Sequence, residues 1–203
     1  YPLWDQSLSA LPPDFHSPEY SSSIQRNLVM HASTKERLAI LSRFFTETLA
    51  PIAPIHSILD LACGLTPLTL PWMPVTTDVR YQAVDIYEDM VEFINHFFEH
   101  FKINGNANIC DLTREIPGES AQVAFLLKTI PCLEQLDKLA GKRLLEELKT
   151  ENILVSFPSR SLGGRSKGMS QNYEAHFWSL VEGQPWKINR YEFPGELAFL
   201  VQK

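Results

Sequence analysis

Cysteine, histidine in metal-binding spacing and long apolar runs are all scarce in this chain, and each shortage removes a class of function. The three cysteines, Cys63, Cys110 and Cys132, stand far apart and form no C-x-x-C pair. A disulfide framework or a thiolate zinc site is therefore not expected; buried, reduced thiols in a cytoplasmic protein are. The six histidines show neither H-x-x-x-H nor H-E-x-x-H spacing, so no metal site is expected. No apolar run approaches the roughly 20 residues a bilayer span needs, and the opening YPLWDQSLSALPPD is not that of a signal peptide, so no membrane contact is expected. Positive charge is also short, with 18 Lys+Arg against 24 Asp+Glu and a net charge of -6. Nucleic-acid binders usually carry a basic footprint, so such a partner requires local concentration of charge. One segment provides it: Arg160, Arg165 and Lys167 stand close together with no acid among them.

A hydrophobic content of 44% in 203 residues suits a soluble globular chain with one core and at most a small appendage. Pro2, Pro12, Pro13 and Pro18, interleaved with Trp4, Phe15 and Tyr20, suggest an irregular arm that packs by its aromatics. A short helix is expected over 21–31. A longer one is expected over 34–49, capped by Ser33 or Thr34, with Leu38, Leu41, Phe44, Phe45 and Leu49 on one face. Pro51 and Pro54 end it. Strand-like runs follow at 57–61, 81–86, 107–110, 123–128 and 153–157, and helical runs at 87–101 and 132–148. Residues 187–193 and 196–201, joined at Pro194-Gly195, read as an antiparallel pair. This alternation implies an α/β fold, a mainly parallel sheet with helices on both faces and a C-terminal antiparallel hairpin.

The stretch SILDLACGLTPLTL from Ser57 to Leu70 is the most informative. An apolar run ends in Asp60, and Cys63-Gly64 let the backbone turn sharply, as where a parallel strand opens onto a ligand crevice. The second and third glycines of G-x-G-x-x-G are missing, and a pyrophosphate would need them. The loop suits a ligand without phosphates, such as S-adenosylmethionine, whose sulfonium and amino groups favour a carboxylate. The other strand ends carry Asp85, Asp111, Lys128 and Phe157-Pro158-Ser159-Arg160. Asp85 can accept both hydrogen bonds of a ribose diol, or cap the helix that follows. Asp111 can bond an adenine amino group, or belong to a turn. Lys128 ends an apolar run, where an ammonium needs an ionic partner or an exposed cleft. Pro131-Cys132 matches the way cytosine-C5 methyltransferases present a thiol nucleophile, but Cys132 also starts an apolar helix face with Leu136 and Leu139. The fourth strand lacks the N/D-P-P-Y/F tetrad of amino-group methyltransferases. Gly163, Gly164 and Gly168 free the backbone of the basic segment, which suits a polynucleotide backbone or simply a solvated loop.

Three blocks together resemble the aminoglycoside-resistance 16S rRNA (guanine-N7) methyltransferase family. They are His31-Ala-Ser-Thr-Lys-Glu-Arg37-Leu38, then Leu59-Asp-Leu-Ala-Cys-Gly-Leu65 through Pro67-Leu68, and Ser156-Phe-Pro-Ser-Arg-Ser-Leu-Gly-Gly-Arg-Ser-Lys-Gly-Met169. The resemblance runs from about residue 28 to the C-terminus. It implies a Rossmann-like class I SAM-dependent methyltransferase that modifies a guanine at the decoding site of 16S rRNA in the small (30S) ribosomal subunit and so confers aminoglycoside resistance. Residues 51–203 would form that domain and residues 1–50 a reduced rRNA-docking region, since family members carry a longer N-terminal helical domain. By matching position, Arg37 would pair with the methionine carboxylate. Asp60, Ala62, Cys63 and Gly64 would lie along the methionyl part, Asp85 with Ile86 would hold the ribose side, and Asp111 with Leu112 would flank adenine. Lys128 would sit near the cofactor or the target, and Arg160, Arg165, Lys167 and Met169 would contact rRNA. Thr66 stands where the family usually has Asn.

Guanine N7 has an in-plane lone pair, so no side chain has to titrate. No catalytic acid or base is expected, and rate enhancement would come from orientation and electrostatics. S-adenosyl-L-homocysteine would be the product and a monomer the working form. The rivals are C5-cytosine methylation of RNA through Cys132, and a catalytically weak RNA-binding protein of the same fold.

Overall fold

A computed structural model describes residues 8, 11–15, 17–29, 31–159 and 168–203. Its centre is a seven-stranded sheet in the order β3-β2-β1-β4-β5-β7-β6. The strands are β1 (Ile55–Leu61), β2 (Val75–Asp85), β3 (Gly105–Ile109), β4 (Ala121–Leu127), β5 (Thr150–Pro158), β6 (Lys187–Phe193) and β7 (Glu196–Gln202). The first five run parallel, and β7 inserts antiparallel between β5 and β6. Register places Asp60 beside Ala83 on one side and Phe125 on the other. The carboxyl ends of β1, β2 and β4 thus meet in one crevice, where the strand order reverses.

Alternation along each strand divides the core between two faces. Ile58, Phe125 and Leu154 join a cluster with Tyr20, Phe44, Phe45 and Phe97, while Leu59, Leu126 and Val155 join Leu144, Phe177 and Phe199. The first face is covered by α1 (Pro18–Leu28), α3 (Leu41–Leu49) and α4 (Glu88–His100). The second is covered by α6 (Ala140–Glu147) and α7 (Met169–Leu180). The helices before residue 50 therefore share a core with the sheet. Ser17 starts α1 by accepting from the Tyr20 amide.

Two expected helices are divided. The 34–49 run splits into α2 (Ala32–Arg37), a 3-10 turn (Leu38–Ile40) and α3, because Ile40 leaves the helical region at φ -119°, ψ 2°. The 132–148 run splits into α5 (Ile130–Leu133) and α6. There the Asp137 carboxylate accepts from the Leu139 amide and holds Arg143, competing with helical backbone bonding. As a result Cys132, Leu136 and Leu139 are exposed, and the buried face expected of them does not exist.

Candidate active site at the carboxyl edge

Asp60 is fully buried at the end of β1 and accepts a 2.7 Å hydrogen bond from the Tyr81 hydroxyl. Burial pushes its carboxyl up to about 8, against the opposing pull of Tyr81 and of the Arg37 guanidinium. After Leu61 the chain turns through Ala62 (φ 54°) and Gly64 (φ 50°). The Cys63 amide donates to Val84, and the Gly64 amide donates to the Asp85 carboxylate at 2.9 Å. The other Asp85 oxygen accepts from the amides of Ile86 (2.8 Å) and Tyr87 (3.3 Å). Asp85 thus holds the turn after β2 and ties β2 to the β1 loop, but it does not cap the helix that follows, whose N-cap is Tyr87 with no side-chain cap bond. Burial pushes the Cys63 thiol well up, which makes it inert packing.

His31 occupies the space in front of Gly64, where an added Cβ would come within 2.6 Å of its ring. Burial lowers the His31 pKa, with nearby Asp85 opposing and Arg37 and Lys128 reinforcing that shift. Gly64→Ala combines this clash with a positive φ, so it should cost about 1–2 kcal/mol of stability. Adding His31→Ala should return part of that loss in urea melts; a double variant no more stable than the single one would refute the contact.

Arg37 is fully buried and points from α2 to Glu196 at the start of β7. Its Nη2 donates at 2.6 Å and its Nε at 3.1 Å, while Phe44 lies 4.7 Å from the guanidinium carbon. Nη1 is buried with no hydrogen-bond partner among the described residues. Lys128, at φ 60°, reaches Glu36 at 2.6 Å and Glu196 at 3.6 Å, so its ammonium takes the ionic-partner alternative. Thr129 then bonds the Leu61 carbonyl and holds β4 to β1.

At the far side Asp111 accepts from the amide and hydroxyl of Thr113, which hold its carboxyl below the usual range. The turn role is therefore filled. Leu112 is buried, while Ile86 is 57% exposed at the rim. Met169 begins α7, half-buried; Arg160, Arg165 and Lys167 lie outside the described residues. Cys132 is exposed, and its thiol donates to the Lys128 carbonyl at 3.6 Å. Glu196, His31, Glu36 and Tyr81 were not singled out from sequence. Glu196 opens the strand expected after Pro194-Gly195 with nothing in the sequence to mark it as buried, and only the position of β7 shows that. His31 and Glu36 at least lie inside the first of the three blocks.

Residues 14–200 match the model of the ribosomal RNA methyltransferase (FmrO) family. The chain belongs to that family. Among its FmrO relatives, a 16S rRNA (guanine(1405)-N(7))-methyltransferase of Micromonospora echinospora is 35% identical over 182 residues, covering 90% of this chain and 66% of that protein. One of the same description from Serratia marcescens is 32% identical over 183 residues, covering 90% and 71%. The chain spans just under two thirds of the length of the Micromonospora echinospora relative. The crystal structure of 16S rRNA methyltransferase RmtF in complex with S-adenosyl-L-homocysteine superposes with a TM-score of 0.81 at 32% identity, covering 98% of this chain and 75% of that one. The 16S rRNA methylase ArmA gives 0.73 at 30%, covering 98% and 97%. The family's Rossmann-like class I methyltransferase fold is thus the fold of this FmrO-type chain. Among the described residues of this family member, no group of His, Cys, Asp or Glu could hold a metal ion, and no helix is long and apolar enough to cross a membrane.

Proposed function

We propose that this chain is a SAM-dependent methyltransferase that methylates guanine N7 in the decoding site of 16S rRNA, conferring aminoglycoside resistance. It would act in the cytoplasm, as a monomer, on the small ribosomal subunit. The observation that carries this reading is the fully buried Arg37 with an unpartnered Nη1 beside Asp60 and Asp85 at the sheet's carboxyl edge. A buried guanidinium with one donor that Glu196 leaves unused can take a second anionic acceptor, and Asp85, with Asp60 once it ionises, favours cationic groups. An amino-acid ligand with a carboxylate, an ammonium and a sulfonium meets both demands. When bound, S-adenosylmethionine supplies an electrophilic methyl on a sulfonium and leaves as S-adenosylhomocysteine.

Arg37 would fix the ligand carboxylate and Asp60 the ammonium side. Asp85 has lone pairs left for a ribose diol, and Ile86 and Leu112, with Asp111, would border adenine. Ala62, Cys63 and Gly64 bring backbone close to the ligand, while Lys128 holds Glu36 and Glu196 in place. Arg160, Arg165, Lys167 and Met169 would meet the RNA, with residues 1–50 helping to dock it. The attacking nitrogen carries its own lone pair, so these residues bind and orient without moving a proton.

Purified small subunits incubated with labelled S-adenosylmethionine should gain 7-methylguanine at one decoding-site position. Label on cytosine C5, or none at all, would overturn the reading. The kcat should stay flat through neutral pH, and a bell-shaped profile would reveal a general base instead. Cys132→Ala should keep activity within about twofold, because methyl transfer to N7 needs no thiol nucleophile and the exposed Cys132 side chain contacts only the Lys128 carbonyl.

A further inference from the structure

Leu136 (82% exposed) and Leu139 (68%) are the two most exposed large apolar side chains among the described residues. They stand on the turn between α5 and α6, which follows β4 out of the sheet at the same edge as Lys128. The turn is held on three sides. Asp137 is bound by Arg143 of α6 at 2.8 Å, Arg143 reaches the Thr113 carbonyl beyond β3 at 3.1 Å, and Glu134 is bound by His176 of α7 at 2.6 Å. Gly141 packs so close to Glu134 that an added Cβ would come within 2.6 Å of its carboxylate. Leucines on a pliable loop could fold inward; here the bracing keeps them in water, so their burial by a partner would cost little ordering. Between them the exposed Lys138 makes no ion pair among the described residues, while the carboxylates of Glu134 and Asp137 are already engaged. The face therefore offers apolar surface with a free positive charge, complementary to a nucleic-acid strand with its bases turned toward the protein.

We propose that the turn at residues 134–139 is an RNA-contacting surface, in which Leu136 and Leu139 pack against nucleobases flanking the methyl acceptor and Lys138 meets a phosphate. This rests on the rRNA-methylation reading and extends it to a surface outside the cofactor site. The test is equilibrium binding of the full chain to protein-free 16S rRNA and to intact small subunits, alongside cofactor calorimetry and thermal melts. Leu136→Ser/Leu139→Ser should weaken both RNA complexes roughly tenfold, the order expected for two leucines losing a dry contact. Cofactor affinity and melting temperature should not change. Lys138→Gln should weaken binding a few-fold and lower the salt slope by about one. Binding within about twofold of wild type for both variants would overturn the proposal. A loss confined to intact subunits would assign the face to a ribosomal protein, and a change in oligomeric state to a second copy; either overturns it. If the wild type binds rRNA but transfers no methyl group, the methylation reading fails while this surface is still decided by binding alone.

Discussion

Glu196→Ala should destabilise the protein by about 3–5 kcal/mol, the usual cost of leaving one member of a buried ion pair without its partner. Glu196 takes three contacts from Arg37, and neither side chain has meaningful access to water. Removing the carboxylate leaves a guanidinium in the core with an aromatic ring as its nearest compensation, and it loosens Lys128 as well. Arg37→Met/Glu196→Leu removes both charges and should recover most of the loss, because apolar side chains of similar volume satisfy such a site as well as the pair does. Cofactor binding should disappear in both variants, since the guanidinium is either misplaced or gone. Urea denaturation decides the matter. A single variant within about 1 kcal/mol of wild type, or a double variant no better than the single, would contradict the ion-pair account.

Asp60→Asn should do the opposite and stabilise the cofactor-free protein, by an amount that grows with pH. The folded carboxyl titrates near 8 and the unfolded one near its ordinary value of 3.8. Between these values the folded state keeps a proton that the unfolded state has released. Wild-type stability from this group is therefore intact below pH 4 and is lost as pH rises toward 8, by at most about 1.4 kcal/mol per unit. The amide keeps an acceptor for Tyr81 and has no proton to lose, so the gap between variant and wild type should widen from pH 5 to pH 8. Cofactor affinity of the wild type should strengthen over the same window, as the carboxylate forms beside a cationic ligand, and Asp60→Asn should lack that trend. Parallel stability curves for the two proteins would show that Asp60 is already ionised in the folded state.

Much of this edge was legible in the residues. Asp60 and Asp85 each end an apolar run, and such runs in parallel sheets point their last residues into the crevice. The strand and helix alternation was equally open to reading. What escaped were relations between distant positions. Nothing near Glu196 shows that β7 will insert beside β5 and bring it to Arg37, 159 residues away. Likewise the leucine spacing of residues 132–148 fits a helix, and it took the Asp137 and Arg143 pairing to break it. Periodicity reports a face that can be buried, not whether anything covers it.

The insertion of β7 between β5 and β6 has a consequence for how the protein is made. During synthesis the first four strands can pair as they emerge, but Arg37 stays without its carboxylate until position 196 has cleared the translating ribosome. In a nascent chain Arg37 therefore has to stay hydrated, and it can be buried with its carboxylate only when the hairpin of β6 and β7 docks.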